Sequence, residues 1–404
     1  MTVAHFHNSR AMPRAALYGA SLEAVLDAAG FAAAHGEIAA WPDYAPTPLL
    51  ALDRTAASLG IAKLLYKDEA HRFGLKSFKA LGGAYAVFRR LADAVAQAGE
   101  GPADAASLAD GRWRHLTEKL TVTCATDGNH GRSVAWGARL FHCRCVIFIH
   151  ATVSEGRAAA IAAYGAEIVR VPGGYDDSVH HAAAVAAERG WSVISDTAYD
   201  GYSAVPRQIM QGYGVIAEEI FAQASPSPTH VFLQAGVGGM AAALCARFWQ
   251  HWAAARPRLI VVEPERAACL YESARAGRPV VLTGDLETVM AGLSCGEVSA
   301  LAWPVLAAGA EDFMTIGDDL AVDTVRFLAD GAGGDAPLVA GETGVAGLAG
   351  LRAVAVDAQL RAALSLGPAS RVLVIGSEGD TDPEIYRRIT GRSAQEVRAR
   401  AAEL

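Results

Sequence analysis

The chain has 404 residues, which predicts about two to three domains at roughly 150 residues each and a core large enough to need no disulfide or metal for folding. It carries 35 Lys and Arg against 43 Asp and Glu, a net charge of −8, which argues against a nucleic-acid partner or an anionic membrane surface. With 52% hydrophobic and 19% charged residues, the composition excludes a mainly disordered protein, and we expect a small-molecule ligand.

Short β-rich runs alternate with alanine-rich runs of helical character, which is typical of parallel sheets covered by helices on both faces. Strands are predicted at residues 121–125, 145–149, 167–171, 192–195, 230–234, 259–263 and 371–375. Helices are predicted at residues 79–96, 130–140, 155–164, 175–190, 239–255 and 344–355. Surface connections are predicted at residues 97–111, 225–228 and 331–337, which are polar or contain Gly and Pro. The predicted fold class is therefore α/β.

The amino terminus and the cysteines indicate a cytoplasmic protein. Residues 1–36 lack the unbroken apolar core of a signal peptide, and no apolar stretch reaches the ~20 residues that span a bilayer. The six cysteines are too sparse for a disulfide scaffold, and none stands in a C-x-x-C pair. They are Cys124, Cys143, Cys145, Cys245, Cys269 and Cys295. We expect buried free thiols, no metal site and a reducing compartment.

The first segment with chemical character leads from Phe73 to Lys79, at the start of a predicted helix. Lys79 lies between Phe78 and Ala80, and an apolar setting disfavours the charged form of a lysine, which makes the amine a Schiff-base nucleophile near neutral pH. The alternative is a surface lysine whose aliphatic stem packs beside apolar neighbours without a catalytic role.

Polar residues follow several predicted strands at the carboxyl end, where open α/β sheets place their ligands. The turn from Thr126 to Gly131 offers a tight bend, backbone donors and a helix N-terminus, all of which suit an anionic ligand. Asp196 and Ser377 also stand at or just past predicted strand ends. Each of these segments can instead be an ordinary turn or helix cap.

A glycine-rich segment from Gln234 to Ala241 follows a predicted strand and opens a helix. Its backbone N–H groups can wrap a phosphate at the positive end of the helix dipole. The segment also satisfies G-x-G-x-x-A, and Glu263 closes a later strand in roughly the place of a ribose-binding acid. A phosphate ligand is therefore predicted, and a nicotinamide dinucleotide remains an alternative to a simpler phosphate cofactor.

In this order, the segments resemble pyridoxal-phosphate enzymes of the tryptophan-synthase-β structural class, and within it the 2,3-diaminopropionate ammonia-lyases. The similar segments are residues 73–85 (FGLKSFKALGGAY), 125–131 (ATDGNHG), 175–177 (YDD), 210–213 (MQGY), 234–238 (QAGVG), 290–297 (MAGLSCGE) and 377–382 (SEGDTD). Asp127 narrows the resemblance to the ammonia-lyases, because generic dehydratases of the class usually carry Ser or Gly there. The chain departs from the family at Lys76 and Ser77, where Asn and Ala are more usual.

The resemblance implies pyridoxal 5′-phosphate as the cofactor, bound as a Schiff base to Lys79, which adjoins Phe78, rather than to the neighbouring Lys76. Asn129 would hydrogen-bond the 3′ oxygen of the cofactor, and Ser377 would face its pyridine nitrogen. The remaining predicted cofactor contacts are Phe78, Gly236, Val237, Gly238 and Gly239, with the glycines holding the phosphate. The predicted substrate contacts are Ser77, Thr126, Asp127, Gly128, His130 and Asp196.

The implied reaction is α,β-elimination of D- or L-2,3-diaminopropionate, through an external aldimine and an aminoacrylate, to pyruvate and two ammonia. Lys79, Asp127 and Asp196 are the predicted catalytic residues, and our hypothesis is that Asp127 serves mainly the D isomer and Asp196 the L isomer. The implied architecture is fold type II, with two open twisted, mainly parallel sheets and the active site in the interdomain cleft. We expect a large domain of residues 1–84 and 207–404, a small mobile domain of residues 85–206, and a homodimer.

Three alternatives remain open at this point. One is a serine/threonine dehydratase or a β-replacing synthase of the same class, and another is a nicotinamide-dependent oxidoreductase built on the Gly236 loop. The third is a catalytically inactive homologue that only binds an amino acid. A same-class dehydratase or synthase would be inactive on diaminopropionate. An oxidoreductase would lack the visible cofactor absorption, and an inactive homologue would show no turnover.

Overall fold

The computed structural model describes residues 3–403, which contain eleven strands in two sheets. The strands are β1 (Val3–His7), β2 (Leu49–Ala51), β3 (Lys63–Asp68), β4 (Thr121–Ala125), β5 (Arg144–His150), β6 (Glu167–Val171), β7 (Ser192–Val193), β8 (His230–Gln234), β9 (Arg258–Pro264), β10 (Asp312–Ile316) and β11 (Arg371–Gly376). The α/β fold predicted from the sequence is confirmed.

The helices of the described chain cover both sheets. They are α1 (Ala20–Glu23), α2 (Ala28–Ile38), α3 (Asp53–Ser58), α4 (Lys79–Gln97), α5 (Ala105–Ala109), α6 (Arg114–Thr117), α7 (Asn129–Leu140), α8 (Glu155–Ala162), α9 (Tyr175–Arg189), α10 (Ala204–Gln223), α11 (Gly239–Trp252), α12 (Cys269–Ala276), α13 (Ala302–Gly309), α14 (Asp318–Asp330), α15 (Ala346–Val356), α16 (Ala358–Leu364), α17 (Pro383–Thr390) and α18 (Ala394–Ala402). Short 3₁₀ helices lie at Glu69–Gly74, Ala253–Ala255 and Ala291–Leu293. No helix within residues 3–403 is long and apolar enough to cross a bilayer.

Contacts divide the described chain into two compact units. Unit 1 comprises residues 3–25, 46–77 and 216–403, and unit 2 comprises residues 26–45 and 78–215. These boundaries differ from the predicted ones at 84/85 and 206/207, because α4 begins at Lys79 and packs along α7. Residues 26–45 join unit 2 because α2 packs against α10: a Cβ at Gly214 would lie 2.2 Å from the ring of Phe31.

Unit 1 is built on a seven-stranded sheet with the order β1-β10-β9-β8-β11-β3-β2. The five inner strands are parallel, whereas β1 and β2 pair antiparallel at the two edges. Strands β8 and β10 are buried along their whole length, because helices cover both faces of a parallel sheet. This sheet places the ends of β8 and β11 side by side.

Unit 2 is built on a four-stranded, fully parallel sheet with the order β6-β5-β4-β7. Val146 and Phe148 of β5 pack with Val171 and Ala182 in a small core on one side of it. The predicted connection at residues 97–111 is partly wrong, because it contains α5. Asp104 caps this short helix by accepting a hydrogen bond from the backbone N–H of Ser107 at 2.8 Å.

Candidate active site

Three acidic or basic side chains meet at the carboxyl edge of the unit 2 sheet. Strand β4 lies between β5 and β7, and because all three are parallel, their carboxyl ends share one edge. Asp127 follows β4, His150 ends β5, and Asp196 follows β7. In open α/β sheets this edge is where ligands bind.

Lys79 and Asp196 form a close ion pair in unit 2. The Lys79 Nζ donates to Oδ2 of Asp196 at 2.5 Å, and the two side chains are 21% and 17% exposed. The amine also lies over the ring of Phe78, 5.5 Å from its centroid. Burial opposes ionisation of Asp196, but the charge of Lys79 outweighs it and holds the pKa of the carboxyl well below its usual range. Asp196 is therefore an ionised carboxylate beside an amine.

His130 adds an unsatisfied acceptor to this pair. Its Nε2 contacts the carbonyl of Ile194 at 2.7 Å, and because a carbonyl only accepts, this nitrogen carries the proton. Burial lowers the pKa of His130 and keeps the ring neutral. The other nitrogen, Nδ1, is buried without a hydrogen-bond partner in residues 3–403 and lies 3.9 Å from Oδ2 of Asp196. The two acceptors suit a donor such as an amino group.

A pair of glycines in α4 lets two other helices approach Lys79 closely. A Cβ at Gly82 would lie 2.5 Å from the ring of Tyr213, and one at Gly83 would lie 2.5 Å from the hydroxyl of Ser133. This approach allows the Ser133 hydroxyl to donate to the backbone carbonyl of Lys79 at 2.7 Å. The glycines weaken the helix but fix the position of its first residue.

The turn after β4 is held by Thr126, whose hydroxyl accepts hydrogen bonds from the backbone N–H groups of Gly128 at 3.1 Å and Gly131 at 3.0 Å. The side chain of Asp127, which follows Thr126 in this turn, is 34% exposed and accepts a hydrogen bond from His150 at 2.6 Å. Asn129 begins α7 and is half-buried. Asp127 is thus more accessible than Asp196 and has a different partner.

The predicted phosphate loop and Ser377 lie in unit 1. Residues 236–239 connect β8 to α11, and Ser377 directly follows the neighbouring strand β11. Gln234 donates to the Ser377 hydroxyl at 2.8 Å. A Cβ at Gly236 would lie 2.8 Å from the Cys295 Sγ, and Gly238 has φ +95°, so neither position suits a larger residue. The loop offers backbone donors at a helix N-terminus.

Lys76 has a separate role from Lys79. Its amine donates to Oδ2 of Asp380 at 2.6 Å, and Arg398 of α18 binds the other oxygen of the same carboxylate at 2.7 Å. Ser77 pairs with Glu378 in an isolated antiparallel bridge. The loop before Lys79 is therefore tied to the segment after β11, and the second amine is engaged in an ion pair.

Glu263 does not bind a ribose in this structure. Its carboxylate is buried and accepts hydrogen bonds from the backbone N–H groups of Leu270 at 2.8 Å and Tyr271 at 2.6 Å, in the first turn of α12. Burial raises the pKa of Glu263 to about 8. The residue stabilises a helix N-terminus, which removes the acid that the dinucleotide interpretation requires.

The sequence analysis missed three residues that shape the site: Ser133, His150 and Gln234. A search for polar residues at the carboxyl ends of predicted strands could have found His150. It was overlooked because the predicted strand stopped at residue 149, one residue before the end of β5. Gln234 was noted only as part of the glycine-rich segment. Ser133 carried no signal, because it lies inside a helix. Cys269 and Cys295 are free thiols.

Known proteins are similar to this chain over most of its length. The family described as pyridoxal-phosphate dependent enzyme matches residues 40–378. The diaminopropionate ammonia-lyase of Escherichia coli strain K12 is 40% identical over 356 residues, which cover 86% of this chain and 87% of that protein. The chain belongs to the pyridoxal-phosphate-dependent diaminopropionate ammonia-lyase family.

Solved structures agree with this assignment. The crystal structure of E. coli diaminopropionate ammonia-lyase in complex with D-serine has a TM-score of 0.85 and 35% identity, and covers 96% of each chain. The same enzyme in complex with an aminoacrylate-PLP azomethine reaction intermediate has a TM-score of 0.82 and 35% identity, and covers 99% of this chain and 98% of that one. The predicted fold type II and pyridoxal phosphate cofactor are confirmed, and the nicotinamide alternative is wrong.

The residues of the chain fit pyridoxal phosphate chemically. An amine stands at Lys79, a glycine loop opens α11, and the Ser377 hydroxyl accepts from Gln234, which leaves its own proton available to donate. The crowding at Gly236 and the positive φ of Gly238 show that the loop is built for close backbone approach.

Proposed function

We propose that the protein converts one 2,3-diaminopropionate and one water to pyruvate and two ammonia. The observation that carries this proposal is the Lys79–Asp196 ion pair, with a second carboxylate, Asp127, at the same sheet edge. The similarity to ammonia-lyases over most of the chain supports it. A dehydratase of the same class has no β-ammonium to bind, and Asp127 supplies a carboxylate suited to that cation.

The cofactor contacts are assigned from the family resemblance. The Lys79 amine would be the attachment point for pyridoxal phosphate, and the backbone of residues 236–239, which include Val237, would receive its phosphate. The ring of Phe78 lies beside the amine. Asn129 and Ser377 are assigned to its 3′ oxygen and its ring nitrogen. When bound, the cofactor supplies the electron sink that makes the Cα proton of an amino acid removable.

The proton steps are divided between the two aspartates. Asp196 is ionised beside Lys79, so its carboxylate can accept the Cα proton of the L isomer, while the Lys79 amine donates a hydrogen bond to it. Asp127 is assigned to the D isomer and to the β-ammonium group. The unsatisfied Nδ1 of His130 accepts an N–H of the substrate.

The substrate's carboxylate is assigned to Ser77. Thr126 and Gly128 are assigned to the substrate through the turn that carries Asp127.

We also infer that the protein acts in the cytoplasm as a homodimer. The six cysteines form no disulfide, which suits a reducing compartment. The dimer is supported by the family resemblance alone.

The purified protein loaded with pyridoxal phosphate tests the proposed function. We expect visible cofactor absorption that changes on addition of D- or L-2,3-diaminopropionate, followed by release of pyruvate and ammonia in a 1:2 ratio. Activity with L-serine or L-threonine should be lower. Reduction with borohydride should fix the cofactor on the peptide that contains Lys79, detected by mass spectrometry.

Lys79→Ala and Lys76→Ala form a matched pair for this experiment. We expect Lys79→Ala to lose at least about 1,000-fold in activity and all borohydride labelling, because it removes both the attachment point and a proton carrier. Lys76→Ala should keep the label. A protein that takes up no borohydride label, or that acts on serine but not on diaminopropionate, contradicts the proposed function.

A further inference from the structure

His150 is a polar strand-end residue of this edge that the mechanism above leaves without a role. It is the last residue of β5, next to the strand that carries Asp127, and its side chain is 17% exposed. Its Nε2 lies 2.6 Å from Oδ1 of Asp127, and its Nδ1 lies 3.0 Å from the hydroxyl of Thr152. The ring therefore has a polar partner on each nitrogen.

The partners identify the donor nitrogen of the ring. A carboxylate only accepts hydrogen bonds, so Nε2 donates its N–H to Asp127. Nδ1 lies within hydrogen-bond distance of the Thr152 hydroxyl, which can donate or accept. These hydrogen bonds hold the Oδ1 atom of Asp127, and the Oδ2 atom takes no part in them.

The backbone around His150 is itself held in place. Arg170 donates to the carbonyls of His150 at 3.3 Å, Ala151 at 3.1 Å and Val153 at 2.8 Å. The ring of Tyr175 stands perpendicular to that of His150, with centroids 6.5 Å apart. An anchored imidazole is a better support for a carboxylate than a mobile one, because a shift of about 1 Å at a reacting group can cost roughly 100-fold in rate.

We propose that His150 is a positioning residue for the isomer that Asp127 serves: its Nε2–H holds Oδ1 of Asp127 and leaves Oδ2 to take the substrate's Cα proton. This inference rests on the proposed function. It gives the chain a specificity-determining residue on a strand that carries none of the assigned catalytic groups.

The test compares His150→Phe, His150→Gln and His181→Phe in the holoenzyme, using kcat with each isomer of diaminopropionate. His150→Phe keeps an aromatic ring and removes the N–H donor, whereas His150→Gln keeps an N–H donor on a more flexible side chain. His181 contacts Phe148 of the same strand, with ring centroids 5.5 Å apart, and serves as the matched control. The isomer assigned to Asp127 is identified beforehand as the one lost in Asp127→Asn.

The quantity compared is kcat for the Asp127-dependent isomer divided by kcat for the other isomer. We expect His150→Phe to lower this ratio by about 10- to 100-fold. His150→Gln should restore the ratio to within about threefold, and His181→Phe should leave it unchanged. If His150→Phe loses activity equally with both isomers, or if His150→Phe and His150→Gln have equal ratios, His150 has a purely structural role and the proposal is overturned.

A second readout does not need turnover. In protein labelled with ¹⁵N-histidine, the Nε2–H proton of His150 should be observable by NMR in the wild type, assigned by its absence in His150→Phe, and lost in Asp127→Leu. Persistence of this signal in Asp127→Leu overturns the pairing. If neither isomer yields pyruvate in the wild type, the proposed function fails, and the NMR result alone decides whether His150 holds Asp127.

Discussion

Asp127 and Asp196 stand at the same sheet edge but have different chemical neighbours. Asp196 is paired with Lys79 at 2.5 Å and is half as exposed as Asp127, which is paired with His150 at 2.6 Å. Two carboxylates in different settings can therefore take different roles in one reaction.

This difference predicts a division of activity between the two isomers. Asp127→Asn should lower kcat for D-2,3-diaminopropionate by about 100-fold or more and affect the L isomer less, because a general base typically contributes about 100- to 10,000-fold. Asp196→Asn should show the opposite preference. Pyruvate release with each isomer measures both effects, and equal losses of both isomers in each variant contradict the division of labour.

The sequence alone selects candidate residues at this scale more readily than their partners, because residue type and local position are local features. Lys79 stands at the start of a predicted helix, and Asp127 and Asp196 follow predicted strands. The family resemblance assigns them catalytic roles, which stay predictions. The hydrogen bond from His150 to Asp127 joins residues 23 positions apart and depends on the order of strands in the sheet, which sequence periodicity does not give. The assignment of the remaining cofactor and substrate contacts stays a prediction.

Among the elements, α10 carries a buried network of charges in unit 1. Glu219 accepts from Arg72 Nη1 at 2.7 Å and from Lys67 Nζ at 2.6 Å, and Arg72 also donates to Glu69 at 2.9 Å. These side chains are at most 2% exposed. The network joins β3, the 3₁₀ helix at Glu69–Gly74 and α10, and it balances two positive charges with two negative ones.

Glu219→Gln should destabilise the folded protein by about 3–5 kcal/mol, because it leaves buried positive charge without its partner. Glu218→Gln is the matched control. The Glu218 carboxylate is 24% exposed and accepts a hydrogen bond from Arg247 at 2.7 Å, so losing this ion pair should cost at most about 1 kcal/mol. Chemical denaturation measures both values. Equal costs for the two variants contradict a special role for the buried network.

The cost of Glu219→Gln should depend on pH. Burial opposes ionisation of Glu219, but Arg72 and Lys67 lower its pKa overall. A carboxyl group with a lowered pKa stabilises the fold above its unfolded value of about 4.3, and this contribution is lost as the pH falls through the folded value. The cost of Glu219→Gln should therefore be largest near neutral pH and shrink below about pH 4.

Elements with a regular pattern were predicted well, and others were not. Strands β4, β6 and β8 and the start of α4 match the predicted bounds, since each is a β-rich or alanine-rich run between polar turns. The 20-residue helix α10 was missed because it contains Gly212 and Gly214, which weaken a helical pattern. Those glycines are needed for tertiary packing: a Cβ at Gly212 would lie 2.4 Å from the carbonyl oxygen of Leu81.

At the scale of the whole molecule, the bound cofactor should add to stability, because a ligand that binds only the folded state shifts the unfolding equilibrium. At a pyridoxal phosphate concentration of about 100 times its Kd, the gain is about 2.7 kcal/mol. With an unfolding entropy of about 2.1 cal/mol/K per residue, a chain of 404 residues shifts its Tm by about 1.2 °C per kcal/mol, so removing the cofactor should lower Tm by roughly 3 °C. Calorimetry of cofactor-free and reloaded protein measures this difference.

Pyridoxal without its phosphate is the control for this measurement. It retains the aldehyde that reacts with Lys79 but cannot use the donors of residues 236–239, so it should protect less than pyridoxal phosphate. Equal protection by the two compounds contradicts the phosphate role of the glycine loop.

The order of strands also dictates when each sheet can form during synthesis of the chain. The unit 2 sheet is contiguous in sequence, from β4 to β7, and is complete once residue 193 has left the ribosome. In unit 1, by contrast, β11 lies between β8 and β3, so the central pairing waits for residue 376. From the end of β8 at residue 234, this wait is roughly 7–28 s at about 5–20 residues per second, and during it β3 and β8 lack their shared neighbour. Nascent chains that end before β11 therefore leave one edge of β3 and one edge of β8 unpaired, because β2 and β9 pair only with the other edges. We expect unit 1 to depend more on chaperones than unit 2 while the chain is being made.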